Sequence, residues 1–101
     1  MKTAESIINN QIEFLKDLKS RFPLIHNSNF FFRDLYYGVM LYLSEKVGIK
    51  LKYSETEGIA REVAEAFERS GIFKRVDHQT WLVNYPEFAL PRIQKEEKKS
   101  A

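Results

Sequence analysis

The chain has 101 residues, enough for one modest hydrophobic core and too few for two. Its 44% hydrophobic and 30% charged residues are the composition of a globular domain, and a net charge of +2 permits phosphate contacts without demanding them. The absence of cysteine excludes disulfides, thiolate nucleophiles and cysteine-ligated zinc, and no apolar run approaches the roughly 20 residues of a membrane span.

The N-terminal stretch MKTAESIINNQIEFLKDLKS interrupts its apolar positions with polar residues, so it carries no signal-peptide core, and a cytoplasmic protein without membrane contact is expected. Ile8, Ile12, Leu15, Leu18 and Phe22 recur at helical steps and predict a first helix from about Ala4 to Arg21, ended by Pro23. The turn His26 to Asn29 offers N-cap chemistry for a second helix from about Phe30 to Val47, with Gly48 as its C-cap. Ile49 to Tyr53 reads as a short strand or an extended turn. Ser54 followed by Glu57 has the spacing of a capping box and predicts a third helix to Ser70, closed by Gly71. Two β-rich runs, Ile72 to Val76 and Thr80 to Tyr85, flank Asp77-His78-Gln79 as a hairpin, with Trp81, Val83 and Tyr85 on one face. Pro86 and Pro91 then break regular structure. The expected fold is α+β, mainly α: three helices followed by a C-terminal β-hairpin, in one domain over residues 1–90, with a charged tail at 91–101.

The second helix is crowded with aromatic residues. Phe32, Leu35, Tyr36, Val39, Met40, Tyr42, Leu43 and Val47 fall on one broad face of a helical wheel, a core pattern. Tyr37 and Leu41 fall in the polar sector instead. Either the first helix or the segment around Phe88 and Leu90 covers them, or they form a homodimer or partner interface. Base stacking is the third reading, and it meets only one cation inside the run, Arg33, neutralised at once by Asp34.

The segments LSEKVGI (43–49), AFERSGIF (66–73) and KRVDHQTWLVNY (74–85) resemble the second helix, recognition helix and wing of winged helix-turn-helix domains, and FKRVDHQ is similar in passing to DEP domains. The resemblance covers roughly residues 30 to 85. It implies DNA binding, with the third helix in the major groove and the wing against phosphates or the minor groove. Two features depart from that pattern. GIKLKY makes a longer connection than the standard turn, and residues 54–70 carry five glutamates against two arginines, a balance of −3. Glu57, Arg61, Glu65 and Arg69, spaced by four, predict a solvated ladder of ion pairs, while Ile59, Val63, Ala66, Phe67 and Ser70 face the core and Ala60 and Ala64 would admit another helix closely.

Positive charge gathers on either side of that helix. Lys50 and Lys52 precede it, Arg61 and Arg69 lie on it, and Lys74, Arg75, His78 and Gln79 belong to the hairpin; these are the candidate nucleic-acid contacts. Tyr37 and Leu41 are the candidate protein interface. The two histidines lack a second ligand at metal-binding spacing, and the four glycines are isolated, so no metal site, cofactor motif or enzyme activity is expected. The sequence therefore points to a DNA-binding transcriptional regulator acting as a homodimer. The alternative is an interaction module of the same fold, docking a protein partner through its apolar or acidic helix face.

Overall fold

The first helical stretch is broken in two. Helix α1 spans Lys2–Ile8 and helix α2 spans Gln11–Arg21. At the break Asn10 donates from its side-chain amide to the Ser6 carbonyl at 2.9 Å, while its own carbonyl accepts from the Phe14 N–H and starts α2. An asparagine whose side chain competes for backbone groups in this way favours a helix end over a helix interior. The turn re-aims the apolar stripe. Ile12 is left 51% exposed, and Ile7 and Phe14 enter the core instead.

The computed structural model describes residues 2–88; Leu90 and the charged tail at 91–101 lie outside the described residues. After α2 comes a short strand, β1, Asn29–Phe31, and then helix α3, Phe32–Tyr42, which runs into a π-helical turn at Leu43–Val47. Helix α4 spans Tyr53–Ser70, and strands β2, Phe73–Asp77, and β3, Thr80–Val83, complete the hairpin before a 3-10 turn at Pro86–Phe88. The sheet is antiparallel in the order β1-β3-β2. The fold is thus α+β and mainly α, with four helices rather than three.

Strand β1 is where the aromatic run departs from its helical reading. Phe30 pairs with Trp81 across the sheet and is buried, whereas Phe31 pairs with Thr80 and stays 48% exposed, the alternation of a strand. Pairing with β3 overrides helical propensity here, so α3 begins at Phe32. Its end matches expectation: Gly48 adopts φ +85° and the Ile49 N–H reaches back to the Leu43 carbonyl at 2.8 Å, a left-handed closure that suits glycine. Val47 ends 39% exposed and Met40 half-buried, so the predicted face is too wide at those positions.

Residues 49–52 form no strand, and α4 starts at Tyr53 with Lys52 as its N-cap, two residues earlier than a capping box at Ser54 and Glu57 predicts. Its cap is set by Glu55, whose carboxylate accepts the Lys52 N–H at 3.0 Å, while the Thr56 hydroxyl donates to the Lys52 carbonyl at 3.0 Å. Buried Ile59, Ala60, Val63, Ala64 and Phe67 face inward; Ser70 is exposed, and the two alanines lie within the core, where α1 and α3 contact α4. Among the described residues no ion pair links Glu57, Arg61, Glu65 and Arg69, so the predicted ladder does not form.

An aromatic chain joins the layers. Phe14 of α2 packs on Phe67 of α4, Phe67 meets Phe73 edge-on at 5.3 Å, and Phe73 stacks on Trp81 at 5.2 Å. These rings are fully buried, at roughly 1.5–3 kcal/mol each for a phenylalanine, and they fix the hairpin against α4. The hairpin itself carries a bulge: Arg75 pairs with Trp81 but Asp77 pairs with Thr80, leaving Val76 extra and 58% exposed. Trp81 and Val83 are buried as expected, while Tyr85 lies beyond the strand against Phe88.

Candidate functional site

Three elements converge on one open groove of about 330 Å³: the first turns of α3, the N-terminal half of α4 and the tip of the hairpin. The Phe32 N–H donates to the Gln79 carbonyl at 2.8 Å, tying the hairpin tip to the start of α3. From the other side Arg61 donates to the His78 carbonyl at 3.3 Å and lays its guanidinium 3.9 Å over the Phe32 ring. The turn holds its own shape through Asp77, whose carboxylate accepts the Gln79 N–H at 2.9 Å. That bond, followed by one from the Thr80 side chain, holds the Asp77 carboxyl below the usual carboxylate range.

Tyrosines form the groove's other wall. Tyr36 makes ring contacts at 5.1 Å with both Tyr37, its neighbour on α3, and Tyr53, the first residue of α4. Tyr36 is buried, but Tyr37 is 40% and Tyr53 71% exposed, so two ring surfaces face solvent beside a packed third. Burial pushes the Tyr36 phenol up, with Tyr53, Tyr37 and Glu57 adding to the shift, and it stays protonated at neutral pH. Arg33 and Glu57 complete the lining, both without an ion-pair partner among the described residues.

Of the sequence-predicted residues, the groove brings together Arg61, Gln79, the His78 carbonyl and Tyr37. Arg69 lies eight residues beyond Arg61, about 12 Å along the α4 axis at 1.5 Å per residue. Lys74 pairs with Leu82 on the sheet face opposite the buried Phe73, Trp81 and Val83. Arg75 serves the fold: its guanidinium meets Glu68 Oε2 at 2.7 Å, and the same oxygen accepts the Trp81 indole N–H at 2.6 Å. Lys50 and Leu41 border a separate apolar hollow of about 210 Å³ with Met40, Ser44, Ile49 and Leu51. Lys52 is exposed immediately before Tyr53.

Tyr37 is therefore not covered. Phe88, one of its proposed covers, packs instead near His26 and α2, where the His26 N–H donates to the Phe88 carbonyl at 3.1 Å and Lys19 approaches the ring. His26 has a structural task, accepting the Tyr85 N–H on Nδ1 at 3.0 Å.

Sequence reasoning missed Arg33 and Tyr53 as groove residues. The signal for the first lay in the four-residue spacing from Arg33 to Tyr37, which puts both on one side of α3. For Tyr53 no local pattern sufficed, because its placement depends on how α4 docks on α3. Among the described residues no group of acidic or histidine side chains could hold a metal ion, and no helix is long and apolar enough to cross a membrane. Comparisons with known protein families, with curated proteins and with solved structures give no match for this chain.

Proposed function

We propose that the protein is a winged-helix domain that binds nucleic acid and acts in the regulation of transcription. The observation that supports this reading is the groove itself, where the start of α3, the N-terminal half of α4 and the hairpin tip meet, in a chain whose last helix is followed by a hairpin as a wing would be. Arg33 in that groove is exposed and has no ion-pair partner among the described residues; Lys50, Lys52 and Lys74 are exposed and have none either. Such side chains neutralise phosphates and position a protein without reading sequence. Arg61 and Gln79 are the groove residues able to address bases. A homodimer is the assembly this reading favours, because paired helix-turn-helix units engage two half-sites.

The test is fluorescence anisotropy of labelled nucleic acids of mixed sequence, titrated at several salt concentrations. Phosphate binding loses affinity steeply with salt, and Lys52→Ala should lower the log-log slope by about one. Absence of binding even at low salt refutes the reading.

One observation favours a second reading, a protein-docking module. Glu55, Glu62 and Glu65 stand exposed along the outward side of α4, and Tyr37 and Tyr53 are solvent-facing anchors of the kind enriched at interfaces. A partner held through those rings would bind with little response to salt.

A further inference from the structure

The geometry points to single-stranded nucleic acid, rather than an intact duplex, as the ligand of the tyrosine-lined groove. The inference rests on the nucleic-acid reading above and narrows it to a strand with unpaired bases.

Two observations combine. The first is the row Tyr37–Tyr36–Tyr53, in which the middle ring is buried and braced at 5.1 Å by each neighbour while the outer two expose their surfaces. Bracing limits the freedom that an exposed tyrosine would otherwise lose on binding, and an exposed ring beside cations is the surface on which successive bases stack. Arg33, one helical turn before Tyr37, and Arg61 line the same groove, and Lys52 is exposed immediately before Tyr53 in the chain. A backbone tracking the row would thus meet positive charge along it.

The second observation is what surrounds the groove. On the outward side of α4, Glu55, Glu62 and Glu65 are exposed and pair with no cation among the described residues. A duplex seated with its major groove on α4 would bring two phosphate backbones towards those carboxylates, whereas one strand following the tyrosines would cross from α3 to the start of α4 and meet Glu57 as the one acidic residue lining the groove, set against Arg33 and Arg61. At the tip Gln79 lines the groove, and its amide side chain can both donate and accept.

The experiment is direct competition at low salt between a labelled single strand of about 12 nucleotides and a duplex of the same sequence. The single strand should bind at least tenfold more tightly than the duplex. Tyr37→Ala and Tyr53→Ala should each weaken it about fivefold or more, in the range of one lost base–ring stack. Tyr53→Phe, which keeps the ring, should stay within twofold, and Lys16→Ala, at an exposed position of α2, serves as the charge control. Melting temperatures read alongside separate lost stacking from lost folding. Duplex binding as tight as single-strand binding, indifferent to both alanine variants, overturns the inference while leaving nucleic-acid binding intact. Binding of neither nucleic acid overturns both.

Discussion

Gly38 offers a test of the packing between α2 and α3. It is buried in the middle of α3, and a Cβ built there would overlap Leu18 Cδ1 of α2 well inside van der Waals contact while meeting Phe22 Cε2 comfortably at 3.6 Å. Leu18 is 0% exposed, so its methyl has no solvent to swing into. Overpacking of this kind costs about 1–3 kcal/mol, and the helix-propensity gain of alanine over glycine returns about 1 kcal/mol. Gly38→Ala should therefore destabilise the protein by about 1 kcal/mol on balance, lowering Tm by several degrees for a chain of this size. Gly58 is the internal reference, since it sits in α4 with nothing within 4 Å of a built Cβ. Gly58→Ala gains the propensity without the clash and should stabilise by about 0.5–1 kcal/mol. Urea denaturation followed by far-ultraviolet circular dichroism measures both. In a Leu18→Ala background, which removes the obstructing methyl, Gly38→Ala should become neutral or stabilising. Equal stabilisation by the two glycine substitutions in the wild-type background would refute the close approach of α2 to α3.

Glu68→Ala strips the acceptor from the buried Trp81 indole and the partner from Arg75, and should cost about 1–3 kcal/mol with a change in tryptophan fluorescence; Glu68→Gln should cost less. Arg75→Ala, at a partly exposed ion pair, should cost about 1 kcal/mol or less by the same denaturation assay and leave nucleic-acid affinity within twofold. Because the folded Asp77 carboxyl titrates below its ordinary value of 3.8, its contribution to the hairpin is fully present above that pH and is lost as pH falls through the lowered value. Hairpin amide protection, after correction for the intrinsic pH dependence of exchange, should fall over that acidic window in the wild type and show a smaller acid response in Asp77→Asn.

Much of the architecture is legible in the sequence because its signals are local. Gly48 and Gly71 close helices with positive φ as their positions imply, and the alternation of Trp81 and Val83 marks a buried strand face. The parts that escape depend on partners distant in sequence. Nothing within Asn29 to Phe31 distinguishes a strand from the helix that follows it; the difference is supplied by β3, some fifty residues later in the chain. The Asn9–Asn10 break is legible in principle from residue type, yet a continuous apolar period masks it. The candidate groove shows the same division: the Arg33 and Tyr37 spacing is local, whereas Tyr53 joins them only through the docking of α4 on α3.

Charge counting assigns every arginine near the hairpin to a ligand, and the geometry divides them by task. Arg75 is held by Glu68 and lies near the Trp81 ring, and Arg21 is shared between Asp17 at 2.9 Å and Glu45 at 2.7 Å, where it joins α2 to the turn after α3. Arg61 is intermediate, spread over Phe32 while holding the hairpin tip. A planar guanidinium with several donors readily becomes a structural cross-link in this way, because one side chain can satisfy two acceptors or cover a ring. Lysine, with a flexible stem and a compact charge, more readily stays in solvent, as Lys50, Lys52 and Lys74 do. The cations left for a ligand are thus fewer than the sequence suggests, and Arg33 is the one that lines the groove without a partner among the described residues. That is why the proposed polyanion is assigned to the tyrosine-lined groove rather than to the acidic outward side of α4.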